Sequence, residues 1–186
     1  MVLLDRRLAA ALTAGALASC GEGGSGGGAS STSTFAWSSP VLLETDDAGN
    51  AVVPRVAVDR DGNATAVWTQ SDGVRFNVWA NRFDAQRKEW LGAVALESEA
   101  GTAAGPDVAV DGAGVATAVW VQDVPPFVQL VRAARFDPAS ATWSEPDDVD
   151  LGDAAFKRDP RVVADPDGFA TAHLVVGLRD VVEELS

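Results

Sequence analysis

The stretch PRVAVDRDGNATAVWTQ, residues 54–70, decides the fold because it returns twice, as PDVAVDGAGVATAVWVQ at 106–122 and PRVVADPDGFATAHLVV at 160–176. The first two copies follow PxVAVDxxGxATAVW closely and the third loosely. Trp37, Trp90 and Trp143 recur at a spacing of 53, each beside a polar loop. A period of this length marks stacked or radially arranged units, each unable to bury its apolar surface alone.

Within one period the chain reads as four short strands: Arg55 to Asp59, Ala64 to Gln70, Arg75 to Phe83 and Trp90 to Glu97. Turn residues separate them: Arg60-Asp61-Gly62-Asn63, Ser71-Asp72-Gly73 and Asp84 to Lys88. Glycine, Asp and Asn tolerate the positive φ that tight turns demand. Val56-Ala57-Val58 and Ala64-Thr65-Ala66-Val67-Trp68 are small or apolar on both faces, the pattern of a strand buried on two sides. Four antiparallel strands in about 40 to 50 residues make one propeller blade. The fold class expected is therefore all-β, with antiparallel four-stranded blades whose tryptophans pack between them.

The ends and composition set the organisation. Arg6 and Arg7 precede an apolar run, Leu8 to Leu17, which is too short to span a bilayer as a helix but suits a secretory signal. Leu17-Ala18-Ser19-Cys20 closes it, and GEGGSGGGASSTST follows as a flexible coil. Cys20 is the chain's one cysteine, so it makes no intrachain disulfide. The organisation expected is a signal at 1–19, Cys20 with a tether at 20–34, and a repeat domain at 35–186 with units starting near 54, 106 and 160. Cleavage before Cys20 takes the net charge from -13 to -14, a surface that repels nucleic acid and anionic headgroups.

These residues resemble known families. The Leu17–Cys20 ending is similar to the lipobox of bacterial lipoproteins, which implies lipidation of Cys20 and a membrane anchor at the cell envelope, in the outer membrane or at the cell surface. PxVAVDxxGNAxAVW, SDGVRFNVWANRF and LLETDDAGN resemble the repeats of bacterial secreted and lipid-anchored proteins with a sialidase-like β-propeller. The resemblance covers 35–174, roughly three quarters of the chain. It implies a fold rather than a reaction. The sialidase nucleophile is a tyrosine, and this chain has none.

Counting units gives about 2.5 to 3 blades, whereas closed propellers usually hold 4 to 8. Three expectations follow: the opening strand, Phe35 to Glu44, joins the third unit; a homodimer completes the ring; or the chain is a truncated relative of a longer protein. GLRDVVEELS at the end reads as a short amphipathic helix.

Candidate chemistry is sparse. Asp59, Asp61, Asp165 and Asp167 lie in turns with alternating carboxylates, the hard oxygen ligands that calcium takes, although the turn itself is what recurs. Acidic connections at Glu44, Asp46 and Asp47, at Glu97 and Glu99, and at Asp147, Asp148, Asp150 and Asp153 read as a solvated rim, with Asp46 and Asp47 as candidate ligand contacts. Trp79, whose counterpart is Arg132, reads first as a packing residue and is also a candidate for stacking on sugar. His173 is the chain's one histidine and replaces Val67 and Val119 of the other copies, so no triad forms around it. The function expected is a lipid-anchored, extracytoplasmic, non-catalytic binding or scaffold module for a protein or glycan, with no resident cofactor. The alternatives are a glycan-active enzyme of the sialidase-like fold class and a truncated non-functional paralogue.

Overall fold

In the computed structural model the described residues are 9–10, 39–45, 49–98, 100–126, 128–150, 156–176 and 179–185. Cys20, Trp37, Asp46, Asp47, Glu99 and Asp153 lie outside them. No described residue is helical.

Strand β1 (Ala9–Ala10) pairs with β2 (Val41–Leu42) in a separate two-stranded sheet. Blade 1 comprises β3 (Ala51–Val58), β4 (Ala64–Ser71), β5 (Phe76–Asp84), β6 (Glu89–Trp90) and β7 (Val94–Ala95). Blade 2 repeats this as β8 (Ala103–Val110), β9 (Ala116–Val124), β10 (Val128–Asp137), β11 (Thr142–Trp143) and β12 (Asp147–Asp148). Blade 3 holds β13 (Lys157–Ala164), β14 (Ala170–Val176) and β15 (Arg179–Leu185). Every pairing is antiparallel, and the three blade sheets are open.

Three expectations are corrected. The closing segment is a strand: Arg179–Leu185 pairs along the length of β14, from Val176↔Arg179 to Ala170↔Leu185. A free edge on β14 offers unpaired backbone groups, and the hairpin ladder that takes them up overrides a helical local pattern. The fourth strand is two short pieces on β5, Phe83↔Trp90 and Trp79↔Ala95, with Gly92 between them in a left-handed conformation. The described part of the opening segment, 39–45, meets blade 1 and not the third unit: Leu43 is buried against Ala66 and Trp68, and its carbonyl accepts a 2.9 Å bond from Asn81 Nδ2.

The inner strands also begin four residues earlier in blade 1 than the turn signals indicate, at Ala51. Proline cannot donate to a ladder and is confined to strand ends and bulges. Here it sits at a bulge. The register shifts between Val52 and Arg55, Ala104 and Asp107, and Arg158 and Arg161, and the residue before each proline has positive φ: Val53, Gly105 and Asp159 at 53°, 64° and 52°. The shared kink keeps the strand going through Pro54, Pro106 and Pro160.

The core lies between blades. Val67, Val78 and Ala80 of blade 1 meet Ala116, Ala118 and Trp120 of blade 2, and Val119 and Ala133 on the opposite face of blade 2 meet Val162 and Ala172 of blade 3. Trp68 and Trp120 are fully buried, with indole Nε1 donating to Gln70 and Gln122 at 2.9 and 3.2 Å. Leu43, Leu96 and Val149, spaced by 53, each pack with the cluster at the start of the blade that follows.

Successive hairpin turns stack closely as well. A Cβ added at Gly112 falls 2.3 Å from the Pro166 carbonyl oxygen of the next blade. Gly112→Ala must therefore push blades 2 and 3 apart. The expected loss of stability is about 1–3 kcal/mol, read as a lower urea midpoint with unchanged slope.

Candidate functional site

The two ends of the blade stack differ in how their polar groups are used. At one end lie the hairpin turns between first and second strands. Asp59 Oδ1 accepts the amides of Asp61 and Asn63, Asp111 Oδ1 those of Ala113 and Val115, and Asp165 Oδ1 those of Asp167 and Phe169, all between 2.9 and 3.0 Å. Asp59 Oδ2 takes a 2.9 Å ion pair from Arg82, whose other terminal nitrogen donates to Thr65. That guanidinium lies 4.8 Å from the centre of the Phe136 ring in blade 2. The calcium candidates thus resolve differently: Asp59 is committed to its turn and to Arg82, Asp165 Oδ1 to its turn, while Asp61 and Asp167 are exposed. Among the described residues no group of three or more His, Cys, Asp or Glu could hold a metal.

The acidic connections do not form a uniformly solvated rim. Glu97 is buried, and Asp150 forms a buried ion pair with Lys157, whereas Asp147 and Asp148 are exposed and Asp148 pairs with Arg132 Nε at 2.8 Å. Trp79 is half-buried, packed on the cluster of Leu43, Ala66 and Trp68. Its ring is part of the wall of blade 1.

At the other end, a groove of about 210 Å³ opens between blades 2 and 3, with Thr102, Asp123, Gln129, Lys157, Arg158 and Asp159 on its walls. Gln129 ties the two blades: Nε2 donates to Asp123 at 2.9 Å, and Oε1 accepts the Lys157 amide at 2.8 Å. Arg158 and Asp159 are exposed. The groove falls where the repeat breaks. Cross-strand partners Asp123 and Gln129 replace Ser71 and Phe76 of blade 1, and Lys157-Arg158-Asp159 replaces Ala103-Ala104-Gly105 and Ala51-Val52-Val53. Single departures occur in the framework, as at Trp79 and Arg132, whereas departures gathered at one place mark it for a different task. Aligning the copies position by position is the signal that finds them; motif searching passes over them.

On the same end, the turn from Ser71 to Arg75 in blade 1 is held by one carboxylate. The amides of Arg75 and Val74 donate to Asp72 Oδ1 at 2.8 Å each, and Asn77 Nδ2 to Oδ2 at 3.0 Å. The Arg75 amide foremost, then Asn77 and Val74, hold this carboxyl at about 2, below its ordinary 3.8. The depressed value belongs to the folded state. The turn's contribution is therefore complete above the ordinary value and fades as pH falls toward about 2. Asp72→Ala is expected to destabilise the protein at neutral pH, with the difference from the parent closing as pH falls through that window in paired urea titrations.

No protein-family model matches the chain, and no curated protein matches it in sequence. Among solved structures it is similar to an endo-arabinase from Bacteroides thetaiotaomicron, at 13% identity and a TM-score of 0.50, over 79% of this chain and 61% of that one. It is also similar to a sialidase from Streptococcus pneumoniae, at 9% identity and a TM-score of 0.47 over 84% of this chain and 26% of that one. An intramolecular trans-sialidase from Ruminococcus gnavus gives 12%, 0.47, 81% and 35% in the same order. This chain spans less than two thirds of the arabinase's length. The likeness to the arabinase is one of fold: an all-β, partial β-propeller built of antiparallel blades.

Proposed function

We propose that this chain is a lipid-anchored, extracytoplasmic β-propeller-type module that binds a polar ligand without transforming it, in the groove between blades 2 and 3. One observation carries the reading: five positions that depart from the repeat, Asp123, Gln129, Lys157, Arg158 and Asp159, line one groove. Gln129 and the Lys157–Asp150 pair give that groove a fixed wall, since both are engaged within the protein. Arg158 and Asp159 are exposed and present both signs of charge beside Asp123. Such a surface suits a ligand dense in hydroxyl groups, with donors and acceptors closely spaced, and a glycan is the ligand class proposed.

A glycan array with the full chain tests this. Binding is expected, and Arg158→Ala with Asp159→Ala should lower it about tenfold or more, the loss of one to two charge-assisted hydrogen bonds. An array without signal sinks the binding reading, and release of product from any fluorogenic glycoside sinks its non-catalytic part.

The anchor is proposed from Leu17-Ala18-Ser19-Cys20 and the Gly/Ser tract after it. Acyl chains hold a protein at a bilayer through buried CH₂ groups, and more than one chain is needed for stable attachment. In a bacterial host the parent protein is expected in the membrane fraction with incorporated labelled palmitate. Cys20→Ser should lose both label and membrane association.

A further inference from the structure

Blades 1 and 3 each have one broad face with no blade against it among the described residues, and the repeat shows what those faces match. Val108 and Val162 hold the same inner-strand position, pack toward the preceding blade and are 7% and 5% exposed; Val56, their equivalent in blade 1, is 59% exposed. Val58 follows the same logic: it is 57% exposed, while its equivalents Val110 and Ala164 pack on the blade before them. On the opposite side, Ala57 and Ala109 pack on the blade that follows, and their equivalent Val163 is 67% exposed. Val67 and Val119 are fully buried in the two internal interfaces, and His173 occupies their position on the outer face of blade 3.

We infer that two copies of this chain close on each other, blade 3 of each against blade 1 of the other, into a six-bladed ring with twofold symmetry. The two open faces are the two halves of a contact that the chain already makes twice within itself, so a second copy presents to each the surface it is shaped for. Six blades lie within the range in which propellers close. A twofold ring leaves neither outer blade face open, and closed symmetry is the common form of homo-oligomers.

Two positions set the strength of this junction. Arg55 of blade 1 pairs with Asp107 of blade 2 at 3.9 Å, whereas at the junction Arg161, the equivalent of Arg55 in blade 3, meets Arg55 of the other copy. These like charges sit at the solvent edge, so added salt screens them and strengthens association. His173 puts an imidazole where both internal interfaces hold valine.

Sedimentation of the full chain on a Cys20→Ser background, which excludes a disulfide between copies, tests the inference over a range of concentration and salt. A species of twice the chain mass is expected, favoured by salt. His173→Arg buries an unpaired charge and should lower the association constant about a hundredfold or more. His173→Val and Arg161→Asp should raise it, the first by matching Val67 and Val119, the second by restoring an opposite-charge pair. Tryptophan fluorescence and circular dichroism like the parent's establish that each variant is folded. If His173→Arg does not fold, the two strengthening variants decide. A protein that stays monomeric at its highest soluble concentration overturns the inference. So does a dimer indifferent to these substitutions, or an assembly that grows beyond two copies.

Discussion

The whole structure depends on each blade being covered on both faces by something shaped like another blade. A sheet with one wet face could alternate apolar and polar side chains, but a blade inside a stack has no wet face. This is why, in blade 2, Ala116, Ala118 and Trp120 on one side of β9, and Thr117 and Val119 on the other, are all buried. Small residues allow the sheets to approach, and the buried ring of Trp120 fills space between blades 1 and 2. Because such packing is close to that of an organic crystal, each blade fixes the position of the next.

The polar groups follow from the same constraint. Carbonyls and amides at the hairpin turns come near the adjoining blade, so their hydrogen bonds must be met locally. The aspartates at 59, 111 and 165 do this by accepting the amides of their own turns. Arg82 extends the arrangement across the interface, paired with Asp59 and lying over Phe136. A carboxylate pattern that looks like an incomplete metal loop is, in blade 1, the anchor of a buried cation. Where the repeat lapses, between blades 2 and 3, polar side chains take the places of alanine, valine and glycine and a groove results. Framework and candidate binding surface are thus distinguished by whether departures from the repeat gather in one place.

Much of this architecture was legible in the chain. The 53-residue spacing, the glycines in three equivalent turns and the two-faced apolar strands specify antiparallel blades, and the buried roles of Trp68 and Trp120 follow from their places within such strands. The misreadings share a cause. Arg179–Leu185 has a helical apolar pattern but lies beside the edge of β14, and pairing with β14 gives the backbone groups on that side partners across the sheet. Pro54 looks like a strand start because proline interrupts a ladder, yet a bulge absorbs it. Glu97 looks solvated because loops are polar, yet it is buried.

By itself the sequence determined the blade, its turns and the residues that line its faces, because these depend on period, side-chain size and backbone freedom within some 53 consecutive positions. Tertiary structure alone decided that Asp59 pairs with Arg82, that Gln129 and Lys157 meet across two blades, and that Leu43 packs on blade 1. Those outcomes are contacts between residues far apart in the chain, and a linear pattern carries no distance between them until the blades are stacked.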